Sequence, residues 1–259
     1  MRFQNKTALV TGGNSGIGFA TAKLLIEQGA RVAITGRDPM KLDQALTELG
    51  PNAIGIVADL NDADAVEQVA KKVKDEFGSL DVVFANAGIS GPTPLGGTTA
   101  EAFEAITRTN ITAVFLTVQA ALPLMHEGSA IVLNGSVMRG QGTAGSAAYS
   151  ASKGAVTAMA KVFASELAPR GIRVNTVIPG ATRTSIWTRG ARAGGSIDDV
   201  ENSLAPRIPI GRLADPEETA RAVLFLASDD AAGITAAEIV VDGGLTGAPS
   251  GAPMFRAPR

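Results

Sequence analysis

The chain has 259 residues, a length that suits one large α/β domain better than two domains of about 150 residues each. Hydrophobic residues make up 45% and charged residues 19%, which excludes wholesale disorder, and a formal net charge of -2 argues against electrostatic capture of nucleic acid or an acidic membrane. The absence of cysteine excludes disulfides, zinc–thiolate sites, iron–sulfur clusters and a cysteine nucleophile, and the single histidine, His126, excludes a histidine-rich metal site.

Along the chain, short apolar runs alternate with segments of helical period. Ala8–Val10 reads as a buried strand, followed by a Gly-rich turn and a helix through Ala20, Leu24 and Leu25. Val32–Thr35 is the second strand; a helix from Pro39 buries Leu42, Leu46 and Leu49, and Ile54–Val57 is the third strand. Asn61 or Asp62 can cap the helix carrying Val66, Val69 and Val73. Further strands are expected at Val82–Ala85, Ala130–Leu133, Arg173–Val177 and Glu238–Val241, with helices over Glu101–Met125 (broken near Asn110), Ala148–Ala168 and Asp215–Ala227. His126 is expected near a helix end, where a cation suits the helix dipole. Strand–helix alternation of this kind implies parallel strands joined by crossover helices, hence a doubly wound parallel sheet of seven strands in a single domain.

Two stretches break the rhythm. Arg189–Ile197 (RGARAGGSI) is polar and Gly-rich, either a plain loop or a mobile lid. The Gly/Pro-rich tail, with Met254 and Phe255 near its end, is either disordered or docked on a neighbouring subunit. The expected organisation is a catalytic domain over 1–245, a substrate loop at about 185–212, and a tail over 246–259. The N-terminus lacks a signal-like apolar stretch and no run approaches ~18 apolar residues, so a cytoplasmic protein without a membrane span is expected.

Thr11 to Gly18 (TGGNSGIG) follows the first strand and opens a helix. Gly12, Gly16 and Gly18 permit a tight turn and close backbone approach to a pyrophosphate, while the amides of Asn14, Ser15 and Ile17 stand where the helix begins. In that position the pattern predicts dinucleotide binding. At the end of the second strand an acid would favour an unmodified ribose. Here Gly36 is followed by Arg37, which suits a 2′-phosphate and so NADPH over NAD, although Asp38 weakens the local field.

Tyr149 and Lys153 stand four residues apart at a helix start, on one face. A phenol is a poor acid at neutral pH. An ammonium at ~4 Å in an effective dielectric near ~20 contributes about 4 kcal/mol, or roughly three pKa units, enough to bring it into working range. Tyr149 is the only tyrosine in the chain.

With these motifs the chain resembles the short-chain dehydrogenase/reductase family, in its Tyr-x-x-x-Lys branch, over nearly its whole length, and is similar to NADPH-dependent carbonyl reductases and alcohol dehydrogenases. The resemblance implies a Rossmann-like sheet and assigns adenine contact to Asp59 and Leu60 and cofactor contact to Asn86, Ala87 and Gly88. It places Pro179, Gly180, Thr182 and Thr184 against the nicotinamide, and Asp242-Gly-Gly244 at the end of the last strand. It makes Ser136, thirteen residues before Tyr149, the group that orients the carbonyl oxygen. Tyr149 becomes the proton donor and acceptor, Lys153 a ligand of the nicotinamide ribose, and Asn110 the holder of a relay water; no metal is required. Ala85 and Ala236 depart from common family residues without disabling the pattern. A homotetramer built on small-residue helix faces is also implied.

Substrate identity is the least specified. Ser90–Leu95, Met138–Gly142 and Ser185–Arg192 should flank the carbonyl, and Leu95, Met138, Ile186 and Trp187 suggest a roomy apolar pocket for hydrophobic ketones and secondary alcohols. The rival within the family is a 3-oxoacyl-carrier-protein reductase, with Arg139, Arg189 and Arg192 as candidate contacts to an acidic carrier. A rival of another class is a non-catalytic NADP-binding sensor or scaffold.

Overall fold

The computed structural model describes residues 1–188 and 195–249. Most of the expected lid and the tail from Ser250, including Arg189, Arg192, Met254 and Phe255, lie outside the described residues.

Seven strands form one parallel sheet: β1 (Thr7–Val10), β2 (Arg31–Gly36), β3 (Ala53–Val57), β4 (Leu80–Ala85), β5 (Met125–Asn134), β6 (Arg173–Pro179) and β7 (Glu238–Val241). Their spatial order is β3-β2-β1-β4-β5-β6-β7, so the direction of winding reverses between β1 and β4. That reversal opens a crevice beyond the C-terminal strand ends, where ligands of open α/β sheets bind.

Helices α1 (Gly16–Glu27), α2 (Pro39–Leu49) and α8 (Pro216–Ala227) cover one face, with Leu25, Ile34, Phe84 and Leu226 in the core between. The other face is covered by α3 (Ala63–Phe77), α5 (Ala113–Ala121) and α6 (Ala147–Leu167), packed on Leu9, Val83, Ile131 and Leu133. Because both faces are buried, the central strands carry continuous apolar runs, Ala8–Val10 and Val82–Ala85, rather than alternating ones. Asp62, not Asn61, caps α3, its carboxylate accepting from the Asp64 amide.

The long helix before β5 breaks near Asn110 as expected, α4 (Ala100–Thr107) passing through a π turn at Arg108–Thr112 into α5. Three features differ from expectation. First, α5 ends early, in a 3-10 turn containing Pro123. A proline cannot continue the helix ladder. The chain therefore extends early, and β5 begins at Met125, paired with Leu80, before a register shift. His126 consequently lies in a strand, its Nε2 3.5 Å from Asp81, and not at a helix end. Finally, the 185–212 region holds a short helix, α7 (Ile197–Leu204), closed by a capping box between Ser196 and Asp199. The start of the C-terminal tail is tied down, since Asp242 accepts from the amides of Gly244 and Thr246 and from the Thr246 hydroxyl. No helix among the described residues is long and apolar enough to cross a membrane.

Gly18 shows how tightly the strand ends are joined: a Cβ there would lie 2.5 Å from the Gly12 carbonyl oxygen and 2.5 Å from Asn86 Nδ2. Alanine would gain about 1 kcal/mol of helix propensity but the clash with backbone outweighs it. Gly18→Ala should lower unfolding free energy by about 1–2 kcal/mol in urea titration; equal or higher stability would contradict this packing.

Candidate active site

At the β1–β4 switch, one side chain gathers three segments. The Thr11 hydroxyl accepts from the amides of Asn86 (2.9 Å) and Ala87 (3.1 Å), and Asn86 Nδ2 donates back to the Thr11 carbonyl at 2.9 Å. Asn134, at the end of β5, donates from Nδ2 to Asn86 Oδ1 at 2.9 Å. The Asn134 backbone carbonyl in turn accepts from Lys153 Nζ at 2.7 Å. A continuous polar stitch thus runs from the Gly-rich turn to the ammonium of α6.

Beside this stitch lies a groove of about 810 Å³. Of the residues expected to hold a cofactor, Gly12, Asn14, Ser15, Gly16, Ile17, Gly36, Arg37, Asp59, Leu60, Asn86, Ala87, Gly88, Tyr149, Lys153 and Thr184 line it. Gly18, Pro179, Gly180 and Thr182 do not. Gly180 packs against Asp242, and the Thr182 carbonyl accepts from the Trp187 indole at 2.8 Å. The walls also contain residues that were not singled out, among them Lys41, Thr109 and Asn134. Lys41 was legible as a cation in the first turn of the helix that opens after Arg37.

The cradle suits a dinucleotide. Gly12 and Gly16 have φ of +63° and +56°, and a Cβ on Gly16 would lie 3.0 Å from Thr184 Cγ2 across the groove. Asn134 Oδ1 is buried without a hydrogen-bond partner where the groove passes. At the far end Arg37 is exposed. The Asp38 carboxylate, expected to weaken Arg37's field, lines the groove beside it, accepts from the Met40 and Lys41 amides that start α2 and pairs with Lys41 Nζ at 3.5 Å. Those contacts hold its pKa below the ordinary carboxylate value, led by the Lys41 amide.

At the near end, Tyr149 sits in the first turn of α6 with its phenol beside the Ser136 hydroxyl. Lys153 is one turn on, 4% exposed, with Nζ 5.7 Å from the centroid of the Tyr149 ring. The Ser136 hydroxyl also accepts from the Met138 amide at 3.2 Å. Asn110, at the centre of the π turn, is fully buried: Oδ1 accepts from the Ile89 amide at 2.8 Å, and Nδ2 donates to the Ile89 carbonyl and to Ser152 Oγ. Both ends of its side-chain amide are engaged, so it brackets the loop after β4 against α6.

The acidity expected of Tyr149 is not produced by Lys153 alone. Burial pushes the phenol above its ordinary value, and the Ser136 hydroxyl lowers it only in part. Burial also pulls Lys153 down to about 8, and its ammonium points to the Asn134 carbonyl rather than to the phenol oxygen. Desolvation of both groups outweighs the attraction between them that their spacing implies.

The expected apolar pocket is only partly assembled. Ile186 lines the groove with Ile89, Ser90 and Ser185. Leu95 is fully exposed, Met138 accepts from the Thr143 hydroxyl, and Trp187 packs beside Thr182. Arg139 is no free carrier contact within the chain: its Nε donates to Glu238 at 2.7 Å.

The family model described as enoyl-(acyl carrier protein) reductase matches residues 12–246. The chain belongs to the short-chain dehydrogenase/reductase family. Among relatives of this short-chain oxidoreductase, a 3alpha-hydroxysteroid dehydrogenase of Mediterraneibacter gnavus is 42% identical over 94% of this chain and 98% of its own. A 3-oxoacyl-(acyl-carrier-protein) reductase of Vibrio cholerae is 38% identical over 95% and 99%, respectively. A short-chain type dehydrogenase/reductase from Mycobacterium marinum superposes with a TM-score of 0.86 at 33% identity, covering 94% of this chain and 96% of that one.

Lys153 makes a measurable claim on stability. Below pH about 8 it is charged in folded and unfolded chains alike, and its burial opposes folding. Between about 8 and 10.5 the folded chain has shed a proton that the unfolded chain keeps, so stability rises with pH. Relative to Lys153→Met, the natural chain should gain on the order of 2 kcal/mol across that interval in denaturant titrations. A difference that stays flat with pH would contradict the buried ammonium.

Proposed function

We propose that this short-chain dehydrogenase/reductase reduces hydrophobic ketones to secondary alcohols with NADPH, reversibly, with Tyr149 as proton donor. The observation that carries the reading is the convergence of Ser136, Tyr149 and Lys153 at one end of a glycine-walled groove whose other end presents Arg37 and Lys41. Bound NADPH would supply the hydride. Ser136 and the Tyr149 hydroxyl would hold the carbonyl oxygen, and Tyr149 would give its proton as negative charge develops there. Lys153, fixed by Asn134, would use its remaining N–H groups on the nicotinamide ribose and keep positive charge beside the phenol. A relay water near Asn110 would be held by backbone, since its amide is taken up by Ile89 and Ser152. Arg37, with Lys41 behind it and Asp38 committed to α2, would bind the 2′-phosphate.

The hydroxysteroid dehydrogenase relative supports a bulky secondary alcohol or ketone as substrate. The carrier-protein reductase relative and the family model favour the rival reading, an acyl-carrier thioester. Subunit assembly would use the exposed Phe103, Phe115 and Val162 of α4, α5 and α6, consistent with a homotetramer. A domain ending near 245, as the Asp242 turn suggests, completes the proposed organisation.

The test is cofactor oxidation with aliphatic, aromatic and cyclic ketones and with acyl-carrier thioesters, NADPH and NADH side by side. Turnover of ketones with NADPH is expected, and Tyr149→Phe should lower kcat by about 10²–10⁴. Arg37→Ala should raise the NADPH KM roughly 10- to 100-fold and leave NADH nearly unaffected, the loss of about one charge-assisted hydrogen bond. A preference for NADH in the natural chain would overturn the 2′-phosphate assignment; turnover of thioesters alone would select the rival.

A further inference from the structure

The helix that carries Tyr149 lacks its own cap. Ser146 occupies the N-cap position of α6, and its side chain caps nothing. The acceptor is supplied from 55 residues upstream: Thr93 Oγ1 takes the amide of Ala148, the second residue of the helix, at 3.0 Å. The backbone of Thr93 is held as well, its amide donating to the Gly145 carbonyl at 2.7 Å in an isolated parallel bridge with Ser146. Thr93 is 2% exposed and Ala148 is fully buried, so water cannot replace the bond. This places a fixed bracket one residue before Tyr149, between the loop that follows Gly88 and the turn that follows Ser136.

We propose that Thr93 is a positioning residue: its hydroxyl, by capping the first turn of α6 from the loop after β4, sets where the Tyr149 phenol stands relative to Ser136. A threonine inside an irregular loop is usually satisfied locally, as Thr98 is by the Pro94 carbonyl four residues away. Thr93 instead spends both its backbone amide and its hydroxyl on the turn and helix of the proton donor. Loss of the acceptor leaves a buried N–H unpaired at the helix start, and the cheapest relief is a shift of that turn toward another acceptor. Such a shift moves the phenol away from the Ser136 hydroxyl. Because that hydroxyl lowers the phenol pKa, the separation raises the pKa further.

The inference rests on Tyr149 being the proton donor, and the experiment separates the two. Thr93→Val and Thr93→Ser would be compared with Thr99→Ala, which removes the cap of α4, where the Thr99 side chain accepts from the Ala102 amide. Ketone reduction with NADPH gives kcat and KM, and near-ultraviolet absorbance follows phenol ionisation, which reports Tyr149 alone because the chain has one tyrosine. Thr93→Val should lower kcat roughly tenfold, leave NADPH affinity within about twofold, and move the phenol titration upward. Thr93→Ser and Thr99→Ala should match the natural chain in both readouts. Natural kcat and titration in Thr93→Val would overturn the inference. If that variant does not fold, Thr93→Ser decides: a tenfold kcat loss despite the retained hydroxyl would assign the effect to the methyl group and overturn it, and natural kcat would uphold it. Full activity in Tyr149→Phe would overturn the reading beneath.

Discussion

The ammonium of Lys153 is held almost entirely out of water, against a single backbone carbonyl, and the architecture of the site follows from that contact. A charge in that position is tolerated only when strong acceptors are fixed around it, because desolvation otherwise drives the proton off. The Asn134 carbonyl is available because β5 ends there. Its side chain reaches Asn86, which reaches Thr11, so the ends of three parallel strands share one hydrogen-bonded line. Glycine is required beside this line, since the Gly-rich turn and Asn86 approach the first helix too closely for a Cβ at Gly18.

The opposite wall comes from helices whose irregularities are tied to the site. The π turn at Arg108–Thr112 places Asn110 inward, where it clasps Ile89 and Ser152. An unbroken helix would keep the ordinary spacing of residues along its face, and π turns are found often where function demands a displaced side chain. Asn110 and Thr93 join the loop after β4 to α6, and Asn134 joins the end of β5 to it. That helix is therefore braced from the loop after β4 at Ala148 and Ser152 and from the end of β5 at Lys153, with Tyr149 between the braces.

Much of this was legible in the sequence for a physical reason. Strands buried on both faces read as continuous apolar runs, as in Ala8–Val10 and Val82–Ala85, and each expected strand is present, most of them longer by one to three residues. The glycine spacing and the Tyr149/Lys153 pair also translate directly into backbone approach and helix face. Three things were less legible. Helix α7 is eight residues with no fully buried side chain, embedded in Gly- and Pro-rich chain, so periodicity had little to register. The placement of His126 turned on Pro123 ending a helix three residues earlier. The acidity of Tyr149 depends on burial, which spacing along a helix does not contain.

By itself the protein holds the phenol protonated through burial, and positive charge on a bound cofactor is what should bring it into working range. The direct test is a near-ultraviolet titration of the single tyrosine with and without saturating NADP+. The phenol should titrate above its ordinary value in the free protein and lower when the oxidised cofactor's cationic ring is bound. An unchanged or higher value on binding would contradict the role given to Tyr149.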